Sequence, residues 1–131
     1  MPSHSGSCHC GAITFTANAD LSKGTHRCNC TYCRKSRNWI VMLKPQDVSV
    51  THGQDQIATY KGSMGGNYTF CPTCGIRLWT SGHHPAFGDF LNLFVPTLDD
   101  LDPADLTAAS VTWIDGAQDD WQNPPAQTAH L

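Results

Sequence analysis

Apolar positions along this chain recur every second residue in short runs, the pattern of strands with one buried face. Ile13 and Phe15 alternate with Thr14 and Thr16, and Val48 and Val50 alternate with Ser49 and Thr51 before His52-Gly53 ends the run. Trp39 to Leu43 is a compact apolar run halted by Lys44-Pro45, too short for a helix and therefore predicted as a strand. Ile57 to Tyr60 forms another, ending at Lys61-Gly62. Asn67 to Phe70 and Ile76 to Trp79 flank Cys71-Pro72-Thr73-Cys74-Gly75, which predicts a hairpin with that turn at its tip. Phe90 to Val95 and Ser110 to Ile114 complete the predicted strands.

Helix is scarce. Thr31 to Arg37 offers a turn or two with Thr31 as the cap. Asp102 to Leu106 offers a single turn, with Asp102 capping and Pro103 in the first position. Asp99 and Asp100 are expected to cap the turn that follows them. Gly62 to Gly66 reads as a hairpin loop, since neither a lysine nor a helical pattern follows to make it a phosphate loop. The expected fold class is mainly β, with short strands and little helix. The stretch 116–131, rich in Gln, Asp, Asn and Pro, is expected to be an extended tail that packs only through Trp121.

Composition narrows the class. A length of 131 residues fits a single domain, 1–131, with a modest core. An apolar share of 40% and a charged share of 15% describe a folded chain. The net charge of -3 gives no overall attraction to nucleic acid or to an anionic membrane. No run approaches the length of a transmembrane helix. Met1 to Gly11 lacks the basic start and apolar stretch of a secretory signal, so a cytoplasmic setting is expected.

The chemistry lies in seven cysteines, which fall in three clusters: Cys8-His9-Cys10, Cys28-Asn29-Cys30-Thr31-Tyr32-Cys33 and Cys71-Pro72-Thr73-Cys74. Seven is odd, so disulfides cannot pair them all within one chain. In a reducing compartment these tight spacings favour metal ligation. A redox disulfide is the competing reading, but Cys71 to Cys74 lacks the strand-to-helix context of a thioredoxin-like motif.

The third cluster has the sequence of a zinc knuckle, with Gly75 available for a positive φ after the turn. It supplies two ligands and needs a second pair. On an extended backbone, Cys8 and Cys10 would share a face about 6.5–7 Å apart along the strand, a gap that side-chain rotation can close. Cys8, Cys10, Cys71 and Cys74 are thus expected to close a structural zinc site. Cys28, Cys30 and Cys33 supply three ligands and leave one position of a tetrahedral zinc open, unless His26 or His9 fills it and makes that site structural too. Three thiolates make zinc a weak Lewis acid that suits a soft thiolate as fourth ligand better than water activation. Arg27, Arg34, Lys35 and Arg37, half of the eight basic residues, flank this cluster and could draw an anionic ligand to it or simply offset its thiolate charge.

Gly6 to Phe15, Cys28 to Lys35 and Phe70 to Gly75, with Thr97-Leu98-Asp99-Asp100 downstream, closely resemble the glutathione-dependent formaldehyde-activating enzyme family, which includes centromere protein V. The resemblance covers residues 5 to 121. It implies a zinc-bearing β-tent, a structural zinc at Cys8, Cys10, Cys71 and Cys74, and a catalytic zinc at Cys28, Cys30 and Cys33, two per chain. It also implies a carbon–sulfur lyase of the S-(hydroxymethyl)glutathione synthase type, joining glutathione to formaldehyde. This chain has Thr112 where family members often carry a histidine, and Pro96 where a glycine is common; both suggest a pocket tuned away from the founding substrate.

His83 and His84 sit in a predicted loop beyond the knuckle hairpin and could serve as acid, base or ligand. Trp39, Phe70 and Trp79 read as core or pocket wall. Two further functions compete with the enzyme: a zinc-stabilised protein or nucleic-acid binding module with both metals structural, and a sensor that loses zinc on oxidation. Few Lys and Arg lie outside the second cluster, which argues against extended phosphate contacts.

Overall fold

The computed structural model describes residues 1–63 and 65–131; Met64, within the loop expected from Gly62 to Gly66, lies outside the described residues. Ten strands are present among them: β1 (Ser3–Ser7), β2 (Thr14–Asn18), β3 (Thr25–Cys28), β4 (Trp39–Leu43), β5 (Val48–His52), β6 (Ala58–Lys61), β7 (Asn67–Phe70), β8 (Arg77–His84), β9 (Gly88–Phe94) and β10 (Val111–Ile114). Two six-residue helices, α1 (Thr31–Ser36) and α2 (Pro103–Ala108), complete the elements that matter for the site. The chain is mainly β, as its alternation predicts. No helix among the described residues is long and apolar enough to cross a membrane.

The strands form two sheets, ordered β1-β2-β5 and β10-β3-β4-β9-β8-β7-β6. Every pairing is antiparallel except that of β10 with β3. The inward residues of both sheets meet in one core of fully buried Ile13, Phe15, Leu78, Leu93 and Val95. Phe15 of the small sheet meets Trp79 of the large one edge-on, ring centroids 5.6 Å apart, a favoured aromatic geometry. A side chain at Gly6 would run into the Phe15 ring, so only glycine lets β1 pass over it.

Two strands carry no hydrophobic alternation and escape a sequence reading. β1, Ser-His-Ser-Gly-Ser, is held by five register pairs with β2 and by the two aspartates of the 97–100 segment. Ser7 Oγ donates to Asp99 at 2.6 Å, the Ser5 amide donates to Asp100 at 3.0 Å, and His4 Nδ1 lies 3.1 Å from the same carboxylate. Asp99 and Asp100 therefore pin the first strand and do not cap a following turn. β3, Thr-His-Arg-Cys, is wedged between β4 and β10, with the Arg27 guanidinium over the Trp39 and Trp113 rings at 4.8 and 6.0 Å.

Other expectations shift in detail. The cap of α1 is Cys30, not Thr31, because the chain is still extended at Cys30 and offers no side-chain cap bond there. α2 begins as predicted, with a reciprocal Asp102–Asp105 capping box and Pro103 in its first turn, but runs on to Ala108. β8 extends through His83 and His84, which pair with Asp89 and Gly88 rather than lying in a loop. The tail packs through Leu131, 7% exposed, whereas Trp121 is 55% exposed. Leu131 is drawn in partly by Arg37, whose guanidinium donates to its carbonyl at 3.4 Å.

Candidate metal centres

The four-cysteine site is built by two tight turns. Cys8 and Cys10 do not lie on an extended strand: they sit in the turn between β1 and β2, closed by the Cys8 amide to the Ile13 carbonyl at 3.1 Å and by Gly11 at φ 79°. Their sulfurs converge because the turn folds them together, 3.7 Å apart. The β7–β8 turn does the same for Cys71 and Cys74. The Cys71 amide bonds to the Ile76 carbonyl at 2.9 Å, the Gly75 amide to the Cys71 carbonyl at 2.7 Å, and Gly75 takes φ 77°. All four sulfurs lie within 4.8 Å of one another, with Cys10 and Cys71 3.7 Å apart. Ligands on a tetrahedral zinc with Zn–S near 2.3 Å stand about 3.8 Å apart, so the spacing fits. Backbone amides favour the thiolate form at two of the four: the Ile76 amide leads in holding Cys74 down to about 6, and the Cys74 amide lowers Cys71, whereas Cys10, despite the Ala12 amide, is pushed up to about 11 by burial and by the neighbouring sulfurs.

The three-cysteine site spans the end of β3 and the start of α1. Cys28, Cys30 and Cys33 also bring their sulfurs within 4.8 Å of one another. The Cys30 amide donates to the Cys28 sulfur at 3.4 Å. Hydrogen bonds from Cys28 and Cys33 hold the Cys30 thiol down to about 2. The bond to Cys30 pushes Cys28 up, and the bonds to Cys28 and then Cys30 push Cys33 up. Three sulfurs converging in this way make a soft-metal donor set.

Among the described residues no histidine joins either group. His26 sits on β3 with its Nδ1 buried and unpartnered, and burial lowers its pKa. His83 is exposed at the far end of the β8–β9 hairpin, 2.8 Å from Asp89, and His84 stacks on Phe87. Neither belongs to the cysteine clusters. Of the four basic residues, Arg27 is committed to its tryptophans and Arg37 to Leu131, leaving exposed Arg34 and Lys35 in the last turn of α1.

Several residues around the three sulfurs had no motif to announce them. Asn38, buried between α1 and β4, donates its Nδ2 to the Cys33 sulfur at 3.3 Å. Arg77 donates to Asn38 Oδ1 at 2.7 Å and to the Tyr32 hydroxyl at 2.6 Å. Tyr32 packs against Tyr68 with centroids 3.8 Å apart and the rings tilted by 33°, and Tyr68 stacks on Tyr60 at 5.6 Å. Burial raises the Tyr68 phenol, with the negative charge of nearby Cys30 adding to it. Asn29 donates to Asp115 at 2.8 Å and accepts from the Ala117 amide at 2.9 Å, clamping the 115–117 segment over the cluster. The one available signal was spacing: Asn38 follows Cys33 by five residues and Arg77 follows Cys74 by three.

Comparison with known proteins now decides the family. The family model for the glutathione-dependent formaldehyde-activating enzyme, GFA, matches residues 3–115. The chain belongs to the GFA family. All seven cysteines of this GFA chain lie inside the matched span, and the segment from Gly116 onward lies outside it. A Halomonas elongata protein, provisionally named a glutathione-dependent formaldehyde-activating enzyme, is 28% identical over 103 residues, covering 72% of this chain. The match spans 64% of that relative's length. A crystal structure of a Rhodobacter sphaeroides protein from a structural-genomics programme superposes with a TM-score of 0.69 at 24% identity, covering 82% of this chain and 99% of that one. That likeness establishes a shared fold.

Proposed function

We propose that this GFA-family chain is a zinc-dependent carbon–sulfur lyase that interconverts a thiol plus a small aldehyde with their adduct, glutathione and formaldehyde being the pair the family name carries. Residues 1–131 are read as one zinc-binding domain, with a structural zinc at Cys8, Cys10, Cys71 and Cys74 and a catalytic one at Cys28, Cys30 and Cys33. The observation that carries this is the count at the second cluster. Three sulfurs converge, and the described residues bring no fourth donor. Zinc held there by three thiolates would supply a soft acceptor position suited to a fourth, incoming thiolate.

The remaining work falls to the chain itself. Arg34 and Lys35, exposed on α1 beside the cluster, give local positive potential that favours an anionic thiol. The adduct forms when the thiolate sulfur bonds to the aldehyde carbon, the carbonyl pair moves to oxygen, and that oxygen takes a proton. Tyr68 is the group we put forward to give its phenolic proton to that oxygen and to take back the one the thiol released. Its phenol is half-buried near Cys30, its pKa is raised so that it stays protonated near neutral pH, and its ring packs against Tyr32. Seven unpaired cysteines suit a reducing compartment such as the cytoplasm.

Paired substitutions test the division of labour. Cys30→Ser should abolish formation of the adduct from glutathione and formaldehyde while leaving the far-ultraviolet circular dichroism and one bound zinc. Cys74→Ser should cost the fold itself. If Cys30→Ser unfolds the chain as severely as Cys74→Ser, both metals are structural and the chain is a binding module instead.

A further inference from the structure

Arg77 opens β8 three residues after Cys74 and faces Phe70 across the hairpin, where the register shifts by a bulge. The residue before it, Ile76, is fixed by the knuckle, since its carbonyl accepts from the Cys71 amide. The backbone of Arg77 is therefore placed by the four-cysteine site. Its side chain ends at the other one. Nε donates to the Tyr32 hydroxyl at 2.6 Å, a terminal nitrogen donates to Asn38 Oδ1 at 2.7 Å, and the guanidinium lies against the Tyr32 and Phe94 rings at 4.7 and 4.8 Å.

Asn38 completes the link. It is 8% exposed, its amide N–H bonds to the Cys33 carbonyl at 2.9 Å, and its Nδ2 donates to the Cys33 sulfur at 3.3 Å. A guanidinium offers donors only, so it accepts just one orientation of the Asn38 carboxamide, with the oxygen toward Arg77. The NH2 is thereby turned onto Cys33. Arg77 touches none of the three sulfurs, yet it dictates what one of them meets.

We infer that Arg77 is a positioning residue that ties the two cysteine sites together, carrying the geometry of the knuckle through Asn38 to Cys33. The inference rests on the reading of the three-cysteine cluster as a metal site. A donor on a ligating sulfur fixes its direction and spreads its charge, and loss of such a partner typically weakens metal binding about 10–100-fold.

Cobalt(II) is the probe, read by its sulfur-to-metal absorption and by competition with a chelator on the whole chain. The wild type should take two ions. Arg77→Met should weaken the three-cysteine site about 10–100-fold and shift its charge-transfer band, with the four-cysteine site unchanged. Arg77→Lys keeps the charge but not the two-point fork, and should fall with Arg77→Met. Asn38→Ala should show the same loss, and the double variant with Arg77→Met should be no weaker than Asn38→Ala alone. Should Arg77→Met fail to fold, Asn38→Asp serves in its place: it retains a partner for Arg77, presents no N–H to Cys33, and should reproduce the loss. Binding by Arg77→Met or Asn38→Asp within twofold of wild type, an unmoved absorption band, or fully multiplicative effects in the double variant would overturn the inference. A wild-type chain that takes only one ion overturns the metal reading of the second cluster and this tie with it. Two ions with Arg77→Met unaffected overturns the tie alone.

Discussion

Gly116 lies 88 residues from Cys28 in sequence, yet a methyl group there would stand 2.6 Å from the Cys28 sulfur and 3.0 Å from the Trp121 ring. Carbon and its neighbours settle near 3.5–4.0 Å, so Gly116→Ala requires a displacement of about 1 Å. Two routes are open. Cys28 can yield, which spoils the convergence of the three sulfurs and weakens metal binding. Alternatively the 115–121 segment can lift, which breaks the Asn29 bonds to Asp115 and Ala117, each contributing about 1 kcal/mol. Overpacking of this kind costs about 1–3 kcal/mol by either route. Urea unfolding of the metal-loaded chain measures the total, and chelator competition separates the routes. The second route leaves affinity at the cluster near wild type and increases protease cutting after residue 115. Stability within about 0.5 kcal/mol of wild type, together with unchanged affinity and unchanged cutting, would refute the placement of this segment over Cys28.

Leu93→Ala, at a fully buried β9 position, should lower the urea midpoint by an amount worth about 2–5 kcal/mol without changing the slope. Asp100 is held below the usual carboxylate range first by the Ser5 amide and then by His4. Its contribution is thus present above pH ~4 and lost as pH falls through its lowered value, so Asp100→Asn should flatten the acid limb of a stability profile while leaving the neutral-to-basic limb in shape. Tyr68→Phe should reduce turnover roughly 10²–10⁴-fold while thiol binding and metal content hold, if the phenol delivers the proton; unchanged turnover would remove Tyr68 from that role.

What the sequence revealed and what it concealed follow from the range of the forces involved. The strands with a buried face were legible because alternation is local: β2, β4, β5, β7 and β9 all fall where apolar residues recur. β1 and β3 were not, because Ser3–Ser7 and Thr25–Cys28 carry no apolar stripe and are strands only by virtue of their partners. The cysteine partition was legible, since spacing within a turn limits which sulfurs can meet, and the structure brings together both groups that ligand counting pairs. The way Cys8 and Cys10 meet was not: a turn, marked only by Gly11, replaces the strand. Asn38 and Arg77 lie 39 residues apart and have no signature separately; only the fold makes them neighbours. The pull of Leu131 into the structure and the exposure of Trp121 reverse a reading based on side-chain size alone.

The central claim is that the Cys28, Cys30 and Cys33 cluster holds zinc with a position into which a thiol enters. X-ray absorption at the zinc edge, recorded on the chain loaded with zinc before and after millimolar glutathione, addresses it directly. The average shell should hold about 3.5 sulfurs per zinc alone and rise to about 4 with the thiol. A shell that already contains a histidine nitrogen, or a sulfur count unmoved by glutathione, would contradict the claim.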